Sequence, residues 1–284
     1  FVPLVESIAD KLETVKSYVI MTDDTMPETK LTDIEYEEML RKASPDYEFP
    51  DFDENTMATL FYTSGTTGRP KGVWFTHRKL VLHTLGAGLN FAGRNTPARL
   101  MPDDVYMPLT PMFHVHAWGK PYIATVLGIK QVYPGRYDPK KIIHLIKKEG
   151  VTISHCVPTV LQTILDALPE EEKLSGWKVE VGGAKLTEKL ILKAQEKGVR
   201  VISGYGLSET CPAIAATVFL PHLSLDEEER IEYTVKTGFP GILVYVRVIH
   251  DDFTDVKPDE KDMGEIVVRA PWLTDTYLKD PEKT

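Results

Sequence analysis

An α/β architecture, with parallel sheet layers covered by helices and the start of a smaller antiparallel β subdomain, is the fold class this sequence predicts. Three observations lead there. Between residue 56 and about residue 205, short β-rich runs alternate with helical patterns, the signature of βαβ units. Beyond Thr237, strand patterns follow one another without helices. At 284 residues and 42% hydrophobic content, the chain is long enough for a substantial buried core.

The elements follow in order. Ala58 to Thr63 is the first expected strand, and Val105–Leu109, Gln131–Tyr133, Val151–Cys156, Val179–Val181 and Val199–Ile202 continue the series. Between them, Asp138 to Glu149 sets Ile142, Ile143, Leu145 and Ile146 along one helical stripe, and Leu186 to Lys197 does the same with Leu190, Ile191 and Ala194. After Thr237, Leu243–His250 and Glu265–Arg269 read as strands joined by a polar loop rich in Asp, Lys and Pro. Residues 1–236 are therefore expected to form the α/β core and 237–284 a segment of the β subdomain. No internal repeat or low-complexity tract stands out, so function is expected in loops at strand ends, where open α/β sheets bind ligands.

Composition excludes several classes. Thirty-three basic against 42 acidic residues give a net charge of −9, the wrong sign for a phosphate backbone, so nucleic acid is not an expected partner. The apolar runs stop well short of the length a membrane-spanning helix needs. The chain opens on Phe1 without a basic, apolar and small-residue leader, and its two cysteines, Cys156 and Cys211, are too sparse for a disulfide framework; a cytoplasmic location is expected, with both thiols buried. The acidic runs 170–172 and 226–229 are expected as solvated helix starts.

The first strand runs into Thr63-Ser64-Gly65-Thr66-Thr67-Gly68-Arg69-Pro70-Lys71-Gly72. Glycines let backbone N–H groups crowd a ligand, hydroxyls donate hydrogen bonds, and Lys71 supplies a point charge suited to phosphate. A flexible Ser/Gly linker has similar composition, but this stretch follows an apolar strand and ends in Pro-Lys-Gly. No Gly-Lys-Ser/Thr occurs anywhere, which argues against a P-loop kinase or GTPase.

At these residues the sequence resembles the adenylate-forming superfamily, and within it the long-chain fatty acyl-CoA synthetases. The family's phosphate loop has the form (S/T)SGTTGxPKG. Pro111-Met112-Phe113-His114 matches its PxFH element, Gly182-Gly183-Ala184 its adenine-side GGA, Ser203-Gly204-Tyr205-Gly206-Leu207-Ser208-Glu209-Thr210 its GYGxTE element, and Gly264-Glu265-Ile266 a later strand.

The resemblance implies an acid–thiol ligase that joins a carboxylate to the α-phosphate of ATP, releases pyrophosphate, and lets coenzyme A displace AMP. It implies that Lys71 and the loop hydroxyls hold the phosphates and that Glu209, with Thr63, holds Mg²⁺. Gly183, Ala184, Ser203, Gly204, Tyr205 and Gly206 would flank the adenine, with Ser208 donating to the α-phosphate. His114 would orient the carboxylate, and Trp118 would gate a fatty-acid tunnel or else be a core aromatic opening the next helix. Gly206 stands where acetate-specific relatives carry a Trp, so a glycine leaves the channel open. His114 and His116, two apart, would face the same way on a strand; a zinc pair there lacks a third ligand. The remaining histidines, such as His83, His144 and His222, are expected on helix or loop surfaces.

The family's ribose-binding aspartate, hinge and C-terminal lid domain have no counterpart in the chain, which is expected to start inside the large domain; alone it is expected to be inactive. A homodimer is compatible with the reading. Two rivals stay open: a non-catalytic nucleotide-binding module of the same fold, and a ligase for an aryl or medium-chain acid. An amino-acid substrate is disfavoured because no Asp stands between Pro111 and Tyr122.

Overall fold

The computed structural model describes residues 1–63, 69–259 and 261–284. Two compact units emerge, Phe1–Phe52 and Asp53–Thr284. The first carries helices Val2–Glu6 and Tyr36–Lys42 and buries none of its residues. Glu35 caps the second helix, its carboxylate accepting from the backbone N–H groups of Glu37 and Glu38 at 2.9 Å each.

The second unit is built on a seven-stranded sheet of order β4-β3-β5-β6-β7-β8-β9. Strands β3 (Val105–Pro108), β4 (Lys130–Gln131), β5 (Ile153–Cys156), β6 (Lys178–Val181) and β7 (Arg200–Gly206) are parallel, while β8 (Ala213–Ala216) and β9 (Phe239–Pro240) run antiparallel. The parallel part follows from helical crossovers; β7 and β8 are joined by too short a turn for anything but an antiparallel pair. The first expected strand departs from the parallel series. As β1 (Met57–Thr63) it pairs antiparallel with β2 (Lys71–Thr76), because the chain after the glycine-rich loop folds straight back on it. Strands β10 (Tyr245–Ile249) and β11 (Glu265–Arg269) form a second antiparallel pair.

Helices cover both faces, as strands buried on two sides require. On one side Ile142 and Ile146 of helix Pro139–Glu149, Leu161 and Leu165 of Pro158–Ala167, and Leu190 and Ile191 of Glu188–Glu196 pack on Val179 and Val181. On the other, Ala87 and Phe91 of helix His77–Gly93 and Ile123 meet Tyr106, Ile153 and Ile202. A buried ion pair fastens the start of β6: Lys178 Nζ lies 2.6 and 2.7 Å from the Asp104 carboxylate oxygens and donates to the Arg99 carbonyl at 2.8 Å.

One expectation of exposure and one of helix position are corrected. His83, expected on a surface, is 1% exposed, because residues 83, 87 and 91 form the inward stripe of their helix. Glu170–Glu172 occupy the turn after a helix, whereas Asp226 does cap helix Glu227–Val235, accepting from Glu229 N at 2.9 Å. Both cysteines are free and buried, and burial pushes the Cys156 thiol up to about 12.

Candidate nucleotide and acyl site

Strand β7 ends in Gly204-Tyr205-Gly206 and turns through Ser208–Thr210, where the Leu207 N–H donates to Thr210 Oγ1 at 3.0 Å. Beside this turn lies a cleft of about 540 Å³. His114, Trp118, Gly183, Gly204, Tyr205, Gly206 and Ser208 all line it. The structure thus gathers seven expected site residues at the C-terminal ends of the parallel strands. Ser203 is buried one residue deeper, bonded through its N–H to Thr217 Oγ1 at 3.0 Å, and Ala184 is exposed outside the lining.

Glycine at 206 has a backbone reason. A Cβ there would overlap the carbonyl oxygen of Pro212 across the β7–β8 turn, so a larger side chain would prise the strands apart before filling any channel. Gly183 has φ +76°, a conformation that favours glycine.

The segment Val115–Trp118 is a left-handed turn, with φ of 45, 58, 48 and 58°, followed by Gly119 at 70°. Left-handed backbone costs about 1–2 kcal/mol per non-glycine residue, and such strain clusters at functional sites. The turn separates two histidines that a strand would have aligned. His114 is exposed at the cleft, whereas His116 is buried among Phe61, Phe75 and Tyr122, its Nε2 2.9 Å from Thr59 Oγ1. Burial holds His116 down at about 4. Trp118 is both core and lining: it is 9% exposed, and its ring lies within 3.3 Å of where a side chain on Gly182 would begin.

A second cluster stands at the turn's outer side. Tyr277 Oη donates to Glu209 Oε1 at 2.8 Å, and Lys71 Nζ lies 4.7 Å from the centre of the Tyr277 ring. Burial and the Glu209 carboxylate raise the Tyr277 phenol to about 12, so it stays a donor. Thr63 is the register partner of Lys71 across the hairpin. Ser64, Gly65, Thr66, Thr67 and Gly68, expected to cradle phosphate, lie outside the described residues. Residues 274–278 dock on β2, where Leu278 N donates to Gly72 O at 2.8 Å and Thr274 Oγ1 to Trp74 O at 3.1 Å, and reach the Ser208–Thr210 turn, where Thr274 N donates to Glu209 O at 3.0 Å.

Sequence reasoning missed Tyr277, which is 68 residues from Glu209, and also Lys120, His155 and Glu180 beneath the cleft. A signal for the last group existed. In Lys178-Val179-Glu180-Val181 and Ile153-Ser154-His155-Cys156, polar side chains sit in strands whose every residue is buried.

Known proteins give the same picture. A long-chain-fatty-acid–CoA ligase of Thermus thermophilus is 41% identical over 99% of this chain and 51% of its own length. A 3-methylmercaptopropionyl-CoA ligase of Ruegeria lacuscaerulensis is 36% identical over 99% and 53%. The chain thus spans about half the length of the curated relatives it matches. The structure of o-succinylbenzoate coenzyme A synthetase of Bacillus subtilis with ATP and magnesium ion superimposes with a TM-score of 0.67 at 25% identity, over 96% of this chain and 55% of that one. The family model described as AMP-binding enzyme matches residues 2–278, and with the motifs and the cleft in agreement, the chain belongs to that family of AMP-binding enzymes.

Proposed function

We propose that this chain carries the nucleotide and acyl site of an ATP-dependent fatty acid–CoA ligase. The supporting observation is one cleft that joins His114 and Trp118 to Gly183, Tyr205 and Ser208, with Glu209, Tyr277 and Lys71 adjoining it. ATP would lie with its adenine against Gly183, Ala184 and the Gly204-Tyr205-Gly206 turn, above the buried Ser203, and its phosphates toward Lys71 and the loop of Thr63, Ser64, Gly65, Thr66, Thr67 and Gly68.

Glu209, with Thr63, fits Mg²⁺: it offers a hard oxygen, and no cluster of three or more acidic, His or Cys ligands stands among the described residues, so phosphate and water would complete the shell, as Mg²⁺ prefers. The ion would neutralise phosphate charge. Tyr277 orients Glu209, Lys71 offsets charge on the departing pyrophosphate, and Ser208 donates to the α-phosphate.

The substrate carboxylate oxygen attacks the α-phosphorus in line; the bond to the pyrophosphate oxygen breaks and its electron pair leaves with pyrophosphate. The thiol of coenzyme A then takes the acyl group and AMP departs. The protein supplies alignment and charge, and no protein nucleophile is needed. The acid class is supported by the name of the Thermus thermophilus relative. A cytoplasmic enzyme agrees with the two reduced cysteines; among the described residues no helix is long and apolar enough to cross a membrane. Exchange of labelled pyrophosphate into ATP by the full-length protein, across a panel of carboxylic acids, tests the reading. Acid-dependent exchange, strongest with aliphatic acids, is expected. No exchange with any acid would favour a non-catalytic nucleotide-binding module, and a preference for aryl acids would move the substrate class.

A further inference from the structure

A row of ionisable side chains crosses the sheet directly beneath the cleft. Alternation along β3, β5 and β6 brings Tyr106, His155 and Glu180 to the face that also carries Phe91 and Ile153, and His155 and Glu180 are register partners. Tyr106 Oη lies 2.7 Å from His155 Nε2. Glu180 Oε2 lies 2.5 Å from Lys120 Nζ, and that ammonium sits 2.9 Å from the centre of the Phe91 ring. The four side chains belong to residues only 2, 0, 7 and 9% exposed for Tyr106, His155, Glu180 and Lys120.

Parallel strands covered on both faces are ordinarily near-continuous apolar runs. Burying an ion pair in one costs desolvation that a hydrophobic pair of the same volume would avoid. Stability therefore gives no reason for the row, and the roles proposed above for the nucleotide site leave these four side chains unassigned. Its position supplies a reason. Lys120 and Glu180 line the cleft together with His114, Trp118 and Ser208, and they also line a small inner cavity with Tyr106 and His155. They form the partition between the two. Opposite them, any side chain on Gly204 would overlap the Glu180 carboxylate, so glycine there lets the carboxylate reach the cleft wall.

The pair keeps bonding capacity in hand. An ammonium has three donors and a carboxylate about four acceptor positions, of which the ion pair uses few. The ion pair engages Glu180 Oε2 and leaves Oε1 on the Gly204 side, while His155 Nδ1 is buried without a hydrogen-bond partner among the described residues. A methyl terminus pressed on this floor would remove water and return no bond, which is costly for buried charge. A hydroxyl would return two, one accepted and one donated. Because the pair sums to zero charge, a neutral group suits it better than a second carboxylate or an amine.

We propose that Lys120 and Glu180 form a polar floor at the acyl end of the cleft and select a short aliphatic acid with a hydroxyl at its distal end, Lys120 donating to the hydroxyl oxygen and Glu180 accepting from it. This rests on the acid–CoA ligase reading and specifies the tail of its substrate.

The test compares length-matched pairs in pyrophosphate exchange by the full-length protein: butanoate with 4-hydroxybutanoate, hexanoate with 6-hydroxyhexanoate, octanoate with 8-hydroxyoctanoate, and hexadecanoate as the long reference. At one short length the hydroxy acid should exceed its partner in kcat/KM by about 10- to 100-fold, the discrimination expected of a hydrogen bond to a buried charged group. The double variant Lys120→Met/Glu180→Leu removes both charges together and leaves neither uncompensated. It should abolish that ratio while the KM for ATP moves less than about twofold, a split that general damage to the site would not give. Plain acids equal to or better than hydroxy acids at every length would overturn the polar floor and leave the ligase reading intact; so would a double variant that keeps the wild-type ratio. No exchange with any acid would overturn the ligase reading itself, and this inference with it. Should circular dichroism show the double variant unfolded, the matched pairs on the unmodified protein decide alone.

Discussion

Lowering the pH from 7 to 5 should destabilise this protein through histidines that the fold keeps neutral. His83 is held down at about 3 by burial, then by the Lys120 charge and by His116; His116 is held at about 4, and His155 is lowered well below 6.5 by burial and Lys120. Each has one ring nitrogen buried without a hydrogen-bond partner among the described residues, so a second N–H would have nowhere to donate. The sign follows from linkage: the unfolded chain takes these protons below about 6.5 and the folded chain does not, so stability is present above 6.5 and is lost as the pH falls toward the folded values. At about 1.4 kcal/mol per pH unit, the interval from 6.5 to 5 costs about 2 kcal/mol per histidine, or about 4 for His83 and His116 together. His155 acts in the same direction. For a unit of this size each kcal/mol moves Tm by about 2–4 °C, so a fall of about 8–16 °C is expected between pH 7 and 5. Differential scanning calorimetry against pH measures it. The His83→Leu variant cannot take the proton and should recover about half of the fall. A Tm that stays flat across this range, or a pH profile the variant leaves unchanged, would show that water reaches these rings and that the reasoning is wrong.

Three further outcomes bear on the site. Glu209→Gln should lower adenylation on the order of 100-fold, and Tyr277→Phe should raise the Mg²⁺ needed for half-maximal exchange by about 10-fold, as loss of a supporting hydrogen bond to a ligand does; an unchanged Mg²⁺ curve for Tyr277→Phe would detach Tyr277 from the site. Gly206→Trp should depress kcat/KM for short and long acids alike and lower Tm, since its Cβ meets backbone at Pro212; a selective loss of long acids would instead make Gly206 a channel lining in its own right.

The strands β5 and β6 and the stripes of Pro139–Glu149 and Glu188–Glu196 were legible because their apolar periods are clean. Helix His77–Gly93 was not, because Gly86 and Gly88 argue against a helix; the structure uses at least the first for close approach, since a Cβ on Gly86 would lie 2.7 Å from the Trp272 ring. The motif residues around the cleft were found by resemblance, which located His114, Tyr205 and Ser208 without predicting how they are held. What sequence hid was the three-dimensional partner. His83 reads as surface because histidine usually is, and Glu180 belongs to none of the motifs; only helix phase and strand register show the two turned inward. Thr59 and His116 meet because the left-handed turn overrides the strand-like alternation of the segment.

The docking of residues 272–278 on β2 has a consequence for the chain as it is made. Val73 and Phe75, both 0% exposed, are covered by a cluster that includes Trp272, about 200 residues downstream, as the span from Trp74 to Thr274 shows. At a synthesis rate of about 5–20 residues per second, the apolar side of the β1–β2 hairpin waits about 10–40 seconds on the ribosome for its cover. Contacts this distant along the chain close late, so the carboxylate of Glu209 meets Tyr277 only after everything before it has emerged. During that wait the nascent hairpin is a natural target for a holding chaperone, and a truncation before Trp272 would leave it permanently uncovered.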